Sequence, residues 1–407
     1  MKSDTDLIKR WGQIILVNLA VVALFGLCMR YKIAFNLPWL DQKNLLHAHS
    51  HFAFAGWISQ LLYIGMAAYI LPQIPDKLKR QYKWLLTMNL LVAYGMLFSF
   101  TIQGYKVVSI AFSTASILIS ILFLGRFYSD TGKYKLAGLW IRWALAGLSL
   151  NVLSAAGPLY LAYMIATKTM NSGFYLGSIY YYLHFQYNGW FFFGAMSLLS
   201  ATFQVFDKPV FKNFFLIFAC TVIPTFFLSI LWVKLPGWVY ILTVIASLCQ
   251  MTAWFLLIRN IISQIRKRSV ISLKDPVHIL FLAAGAALSI KFFLQALSVI
   301  PSLSQLVFGF RPIVIAYLHL VLLGVYSLFI LGWLFGKTGQ PLNKMLRLST
   351  AGFLLGVIFN ELLLAIQGFA AFAYFPVPYI NELLLLAATL LFLSATGIGI
   401  AFRSRGH

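Results

Sequence analysis

Long apolar stretches separated by short polar segments follow one another along the whole chain. Each is about 20 residues or longer, which is enough for an α-helix to cross the hydrocarbon core of a bilayer. Glycine and proline punctuate most junctions, as in "YILPQIPDK" and "FPVPY". The pattern predicts an all-α polytopic membrane protein with twelve transmembrane helices, at 12–34, 44–73, 83–104, 107–128, 138–165, 176–204, 211–233, 236–258, 276–299, 311–335, 347–372 and 379–402.

The segments between the predicted helices are too short for a soluble domain, so we expect residues 1–407 to form a single membrane domain. Composition agrees, because 61% of the residues are hydrophobic and only 10% are charged, against about 25% charged in soluble proteins. The three cysteines all fall in apolar stretches. They offer neither a disulfide framework nor a Cys-x-x-Cys metal spacing.

The formal net charge of +22 does not indicate a nucleic-acid partner, because the basic residues are spread over short loops. With the N-terminus inside, the inner segments hold 22 of the 31 Lys and Arg residues and the outer segments hold seven. This asymmetry follows the positive-inside rule. The sequence therefore predicts a protein of a bacterial inner membrane, in contact with lipid, with a retained first helix and both termini cytoplasmic.

Histidines recur at equivalent places in predicted spans 2, 6 and 10. The segment "LLHAHSHFAFAGW" clusters three of them, and spans 6 and 10 hold one each. Three of these histidines are followed five residues later by glycine, with separations of 133 and 135 residues: His51 with Gly56, His184 with Gly189 and His319 with Gly324. This spacing predicts three four-helix repeat units, about 1–130, 131–265 and 266–407, in a pseudo-threefold arrangement.

Each repeated histidine lies seven or eight residues inside its predicted helix, roughly 11 Å deep at about 1.5 Å per residue. An intramembrane histidine either bonds between helices or serves a functional site. Within the cluster, His47 and His51 are four residues apart and share one helix face, whereas His49 points elsewhere. We therefore expect one or two members of the cluster to be ligands.

Twelve spans, cytoplasmic termini, a pseudo-threefold arrangement and histidines in spans 2, 6 and 10 resemble subunit I of the haem–copper oxidase superfamily. That superfamily includes the nitric oxide reductases and, more distantly, the NnrS membrane haem proteins. The resemblance implies a low-spin haem, b-type by expectation, held between spans 2 and 10. On this basis His319 supplies one axial ligand and the cluster the other, with His51 preferred, His47 second and His49 retained as a metal-ligand candidate.

The same resemblance implies that His184 corresponds to a copper ligand of helix 6. The remaining oxygen-reducing residues of the family are missing, since Tyr317 stands where a high-spin haem ligand belongs and span 7 contains no histidine. Asn188 stands where many oxidases carry a tyrosine. The resemblance thus implies a haem protein without a complete oxygen-reducing centre. Its expected role is electron transfer, gas response or assembly of a respiratory complex, and other respiratory subunits are the expected partners. Any enzyme activity would be that of an oxidoreductase.

Two other charged residues lie deep in predicted spans, Lys291 and Glu361. We expect them to form a buried ion pair, with a proton relay or a haem-propionate partner as the alternative. Gln186 is a candidate for orienting an imidazole. Two other functions stay open: a histidine-lined transporter or channel without haem, and a mononuclear copper or zinc site.

Overall fold

A computed structural model describes residues 2–203, 209–268, 275–304, 310–339 and 343–403. Within these ranges the chain is helical and contains no strand. We number the α-helices along the chain: α1 Lys2–Ala34, α2 Gln42–Phe52, α3 Gln60–Ile70, α4 Asp76–Gln103, α5 Val107–Lys133, α6 Leu139–Ser154, α7 Ala156–Ala166, α8 Ser172–His184, α9 Phe191–Thr202, α10 Pro209–Thr221, α11 Gly237–Arg268, α12 Pro276–Leu297, α13 Arg311–His319, α14 Leu328–Thr338, α15 Lys344–Phe372 and α16 Ile380–Arg403.

Ten helical stretches among the described residues are long and apolar enough to cross a bilayer. An eleventh arises if Val210–Thr221 and Pro224–Ile230, bent by 47° at their break, form one span. The run Ser172–Thr202 occupies the place of predicted span 6 but is not among the ten, and its centre carries the polar residues of "HFQYNGW". The chain is therefore an all-α integral membrane protein, as predicted, while the count of twelve spans stays a prediction.

The helices divide into two compact units. Unit 1 comprises Met1–Leu122, Leu273–Ala284 and Ile315–His407, and unit 2 comprises Phe123–Ser272 and Gly285–Val314. The longer segment of unit 2, Phe123–Ser272, contains the second predicted repeat, 131–265. Unit 1 combines most of the first and third predicted repeats. In unit 1, α1 packs against α2, α3, α14 and α16. In unit 2, α6 packs against α9, and α10 packs against α11.

Three of the helical runs are interrupted by π-helical segments, in which each turn holds one residue more than an α-turn. These segments are Ala53–Ser59 between α2 and α3, Phe185–Trp190 between α8 and α9, and Leu320–Ser327 between α13 and α14. Each begins one or two residues after a histidine of the repeat and contains its glycine. The three runs thus share a local backbone distortion, which supports the internal repeat deduced from the histidine spacing.

Candidate cofactor site

The π-helical segment of α2–α3 is supported by polar side chains from its neighbours in unit 1. A π-turn shifts backbone carbonyls out of the regular hydrogen-bond ladder, and buried carbonyls need partners. Asn18 of α1 donates to the Gly56 carbonyl at 2.5 Å, and Asn89 of α4 donates to the Ala55 carbonyl at 3.1 Å. The distortion is therefore built into the packing of three helices.

Two of the repeat glycines, Gly56 and Gly189, stand at closely packed positions. At Gly189 a Cβ atom would lie 3.0 Å from the Leu150 Cβ of α6, and at Gly56 it would lie 2.7 Å from the Phe52 ring. Both distances are shorter than a side chain tolerates without displacement of its neighbour. Glycine at these positions therefore lets α6 approach the second π-segment, and lets Phe52 lie across the first.

His49 points from α2 toward α1. Its Nδ1 lies 3.1 Å from the carbonyl oxygen of Val22, and its Cε1 lies 3.5 Å from the position that a Cβ at Gly26 would occupy. A neutral imidazole that donates Nδ1–H to a carbonyl presents Nε2 as an acceptor or a metal ligand. No partner for this Nε2 exists among the residues that the structure describes.

His319 has the same arrangement at the end of α13. Its Nδ1 lies 2.8 Å from the carbonyl oxygen of Ile315, one helical turn earlier, and its Nε2 has no hydrogen-bond partner in the described ranges. The imidazoles of His49 and His319 are close enough to interact electrostatically. Unit 1 therefore brings together two imidazoles from two helices, each with one nitrogen fixed by a backbone carbonyl and the other unengaged.

Packing loosens at the level of these two histidines. Both side chains are partly accessible, and neither residues 21–30 of α1 nor the whole of α13 includes a buried residue. Deeper in the same runs, residues 52–68 and 324–335 are all buried. His49 and His319 therefore lie at a partly accessible level of unit 1, next to the fully buried part of the same helical runs.

One cation stands beside this pair. The guanidinium of Arg30, near the end of α1, lies within electrostatic range of His319. Arg30 is half-buried and makes no hydrogen bond or ion pair with any described residue. An arginine presents a planar fork of donors that suits carboxylates. The site thus presents two imidazoles with an unengaged nitrogen and, beside one of them, a positive charge.

His47 and His51 face α4 and the turn after it. His51 stacks on Phe100, with ring centroids 4.4 Å apart, and its Nε2 lies 2.9 Å from the hydroxyl of Tyr105. His47 packs edge-on against the Tyr105 ring, with centroids 4.6 Å apart. The structure therefore brings His49 to His319, whereas our sequence-based preference was for His51 and then His47.

His184 lies in unit 2 and has both ring nitrogens engaged. Its Nε2 donates to the Val222 carbonyl at 2.8 Å, and its Nδ1 lies 3.1 Å from Nδ2 of Asn188. The side chain is buried. A copper ion at His184 would have to displace one of these bonds, so the geometry indicates a histidine that joins two helical segments.

The other predicted supporting residues have partners of a different kind. Gln186 donates 2.8 Å hydrogen bonds to the side chains of Asn151 and Ser154 on α6, so it supports the second π-segment and does not orient His184. Asn188 is the side chain that contacts that imidazole. Tyr317, two residues before His319, is half-buried on α13.

Lys291 and Glu361 lie in different units, so the predicted ion pair between them stays a prediction. Each has an amide partner on its own helix. The Lys291 ammonium donates to Gln295 at 2.6 Å and lies 4.1 Å from the centroid of the Phe292 ring. The Glu361 carboxylate accepts from Asn360 at 3.0 Å. These amides were not foreseen from the sequence.

No group of three or more His, Cys, Asp or Glu side chains suited to a metal ion occurs among the described residues. The pair His49–His319 is a two-ligand arrangement, which suits an iron already held by a macrocycle better than a bare ion. No protein-family model matches the chain, and a search of curated proteins gave no significant match.

Proposed function

We propose that this chain is an integral membrane haem protein that holds a b-type haem in unit 1, with His49 and His319 as its axial ligands. One observation carries the proposal: two neighbouring imidazoles on different helices have Nδ1 bonded to a backbone carbonyl and Nε2 unengaged. A second hydrogen bond of this kind sets the tautomer and orientation of a ligating histidine. Arg30 supplies a positive charge suited to a propionate.

Electron transfer is the role that this donor set supports best. A haem bound here would exchange single electrons with partner molecules. With both His49 and His319 bound to it, a haem would have no vacant position for a gas molecule, which favours electron transfer over gas binding. The hydrogen bonds at both nitrogens of His184 and the tyrosine at position 317 argue against a second, oxygen-reducing centre. We therefore propose a haem protein that resembles the haem–copper oxidase subunit without its terminal reaction.

The proposal includes the topology that the sequence predicts. Twelve spans require that Ser172–Thr202 cross the membrane and that Val210–Thr221 and Pro224–Ile230 form one bent span, in addition to the ten long apolar helices. His49 and His319 each lie seven or eight residues after their helix begins. If these helices begin at the membrane surface, both histidines lie about 11 Å below it. The excess of Lys and Arg in the predicted inner segments supports an outer location for this face.

The absorption spectrum of the purified protein tests the haem directly. We expect a Soret band and sharp α and β bands on reduction when the protein is produced in haem-replete cells. His49→Ala and His319→Ala should each abolish the bis-histidine spectrum. His51→Ala is the matched control, since it removes an imidazole two residues from His49 that bonds Tyr105 instead.

Several outcomes contradict the proposal. A protein that carries no haem, or a spectrum that survives both His49→Ala and His319→Ala, leaves the histidine-lined transporter as the better hypothesis. Loss of the spectrum in His51→Ala with retention in His49→Ala returns the ligand to our sequence-based choice. Size-exclusion profiles of the variants separate loss of ligand from loss of fold.

A further inference from the structure

Two of the three clustered histidines take no part in the proposed haem site. His47 and His51 lie four residues apart on α2, so their side chains project from one face, and the two imidazoles interact electrostatically. An i, i+4 pair of imidazoles is a spacing that lets two side chains of one helix reach a common ion. The pair therefore offers two nitrogen donors at the end of α2.

A phenol oxygen completes the cluster. Tyr105 follows Gly104, whose φ of 62° ends α4 in a turn that L side chains rarely adopt. This turn brings the Tyr105 hydroxyl to 2.9 Å from Nε2 of His51 and its ring against His47. Tyr105 is 52% exposed, so one side of the cluster is accessible from outside the protein.

One imidazole nitrogen of the cluster is buried without a hydrogen-bond partner in the described part of the chain. Nε2 of His47 is buried and has no hydrogen-bond partner among the described residues. A buried polar atom of this kind costs free energy and calls for a bound water or ion. Lys43 and Asp41 act on His47 with opposite charge, so the nearby charged groups offset one another at this site.

We propose that His47, His51 and Tyr105 form a binding site for a divalent transition-metal ion of borderline character, Zn²⁺ or Cu²⁺. Imidazole is the donor that these ions prefer in proteins, and a phenol oxygen is an acceptable third ligand. The ion displaces the His51–Tyr105 hydrogen bond, and the phenol proton passes to solvent as the oxygen ligates. The site is separate from the His49–His319 pair and does not depend on haem.

Titration of the purified full-length protein with Cu²⁺ and with Zn²⁺ tests the site, using an affinity tag that contains no histidine. We expect one ion per chain by calorimetry, and a Cu²⁺ electron paramagnetic resonance signal with hyperfine splitting from two nitrogens. His47→Ala and His51→Ala should each weaken binding roughly tenfold or more, and Tyr105→Phe should alter the Cu²⁺ signal. His278→Ala is the control and should bind as wild type does.

Absence of stoichiometric binding overturns the proposal, as does wild-type affinity in both His47→Ala and His51→Ala. Equal weakening in His278→Ala also overturns it, because that result shows binding that no particular histidine of the chain determines. The haem spectrum and the melting temperature of each sample are measured in parallel. A variant that loses the metal but keeps its melting temperature supports the site whether or not haem is present, so the two proposals fail separately.

Discussion

Trp57 and Ser327, 270 residues apart in the chain, are joined by a 2.9 Å hydrogen bond from the indole Nε1 to the hydroxyl Oγ. Each follows a histidine of the candidate haem site by eight residues, Trp57 after His49 and Ser327 after His319. The two histidines are therefore matched in position along their helical runs in the same way as Trp57 and Ser327 are. The two pairs indicate that the helical runs carrying them have the same direction in unit 1, and the bond fixes their alignment about 12 Å along the helix axis from the imidazoles.

Removing this bond should destabilise the protein and loosen the proposed haem site together. Ser327→Ala and Trp57→Phe should each cost about 1–3 kcal/mol, because a buried polar group is left without its partner. Ser327 also donates to the Leu322 carbonyl within the π-segment, so its loss acts on the backbone as well. Thermal unfolding in detergent measures the effect, and Trp39→Phe, at a side chain 90% exposed, is the control.

A double-mutant cycle sharpens this test. If the two side chains stabilise the protein through their mutual bond, the double variant should lose less stability than the two single variants lose in sum. Additive losses would mean that the bond contributes nothing to the alignment of the helices.

The π-segment after α2 makes a second prediction. Asn89 donates to the Ala55 carbonyl at 3.1 Å and to the side chain of Gln60 at 2.6 Å, so Asn89→Ala leaves two buried acceptors unsatisfied. We expect a loss of about 2 kcal/mol or more in unfolding free energy, since each orphaned group costs about 1–3 kcal/mol. Asn260→Ala is the control, because Asn260 bonds one exposed carbonyl of its own helix. Equal melting temperatures for the two variants would contradict the proposed support of the π-segment.

The sequence was sufficient to identify the long apolar helices, because membrane spans are long, apolar and bounded by glycine, proline and charge. The count of twelve spans and the threefold repeat stay predictions. The resemblance predicts a haem between spans 2 and 10, which stays a proposal, and the Trp57–Ser327 bond shows that the runs in these places are in contact. The sequence could not select among His47, His49 and His51. That choice depends on which face of α2 meets α1, and the acceptor for His49 is a backbone carbonyl of Val22 that no sequence pattern reveals.

The π-segments and the polar networks could not be predicted from the sequence, for related reasons. A π-turn adds one residue to a helical turn, and the hydrophobic pattern of the sequence is nearly the same with and without it. The sequence identifies Lys291 as a deep charge and predicts a carboxylate partner for it. The amide at Gln295 lies one turn along the same helix, and Gln250 joins it at 2.8 Å through tertiary packing between α11 and α12.

That amide network gives a third prediction. Gln295→Leu leaves the buried Lys291 ammonium without its 2.6 Å acceptor and should cost about 2 kcal/mol, as expected for a hydrogen bond to a charged group. Lys291→Met removes the buried charge itself, so it should leave the melting temperature unchanged or raise it. Lys234→Met, at an exposed side chain, is the control. A loss in Lys291→Met as large as that in Gln295→Leu would instead favour an ion pair between Lys291 and a carboxylate.

Arg30 gives the last prediction, which rests on the proposed haem. Its guanidinium lies within electrostatic range of His319 and has no other polar partner among the described residues. A nearby positive charge disfavours the more positively charged ferric state, so Arg30→Gln should lower the haem reduction potential. The expected shift is on the order of tens of millivolts, where about 59 mV corresponds to a tenfold change in the equilibrium constant of a one-electron couple.

Arg30→Lys keeps the positive charge and should leave the reduction potential close to that of the wild type. Lys32→Gln is the control, because the Lys32 ammonium is bonded to the Leu37 carbonyl at 2.6 Å. Redox titration of the α band measures all three variants. A potential that is unchanged or raised in Arg30→Gln, or one that falls equally in Lys32→Gln, would show that Arg30 does not act on the haem.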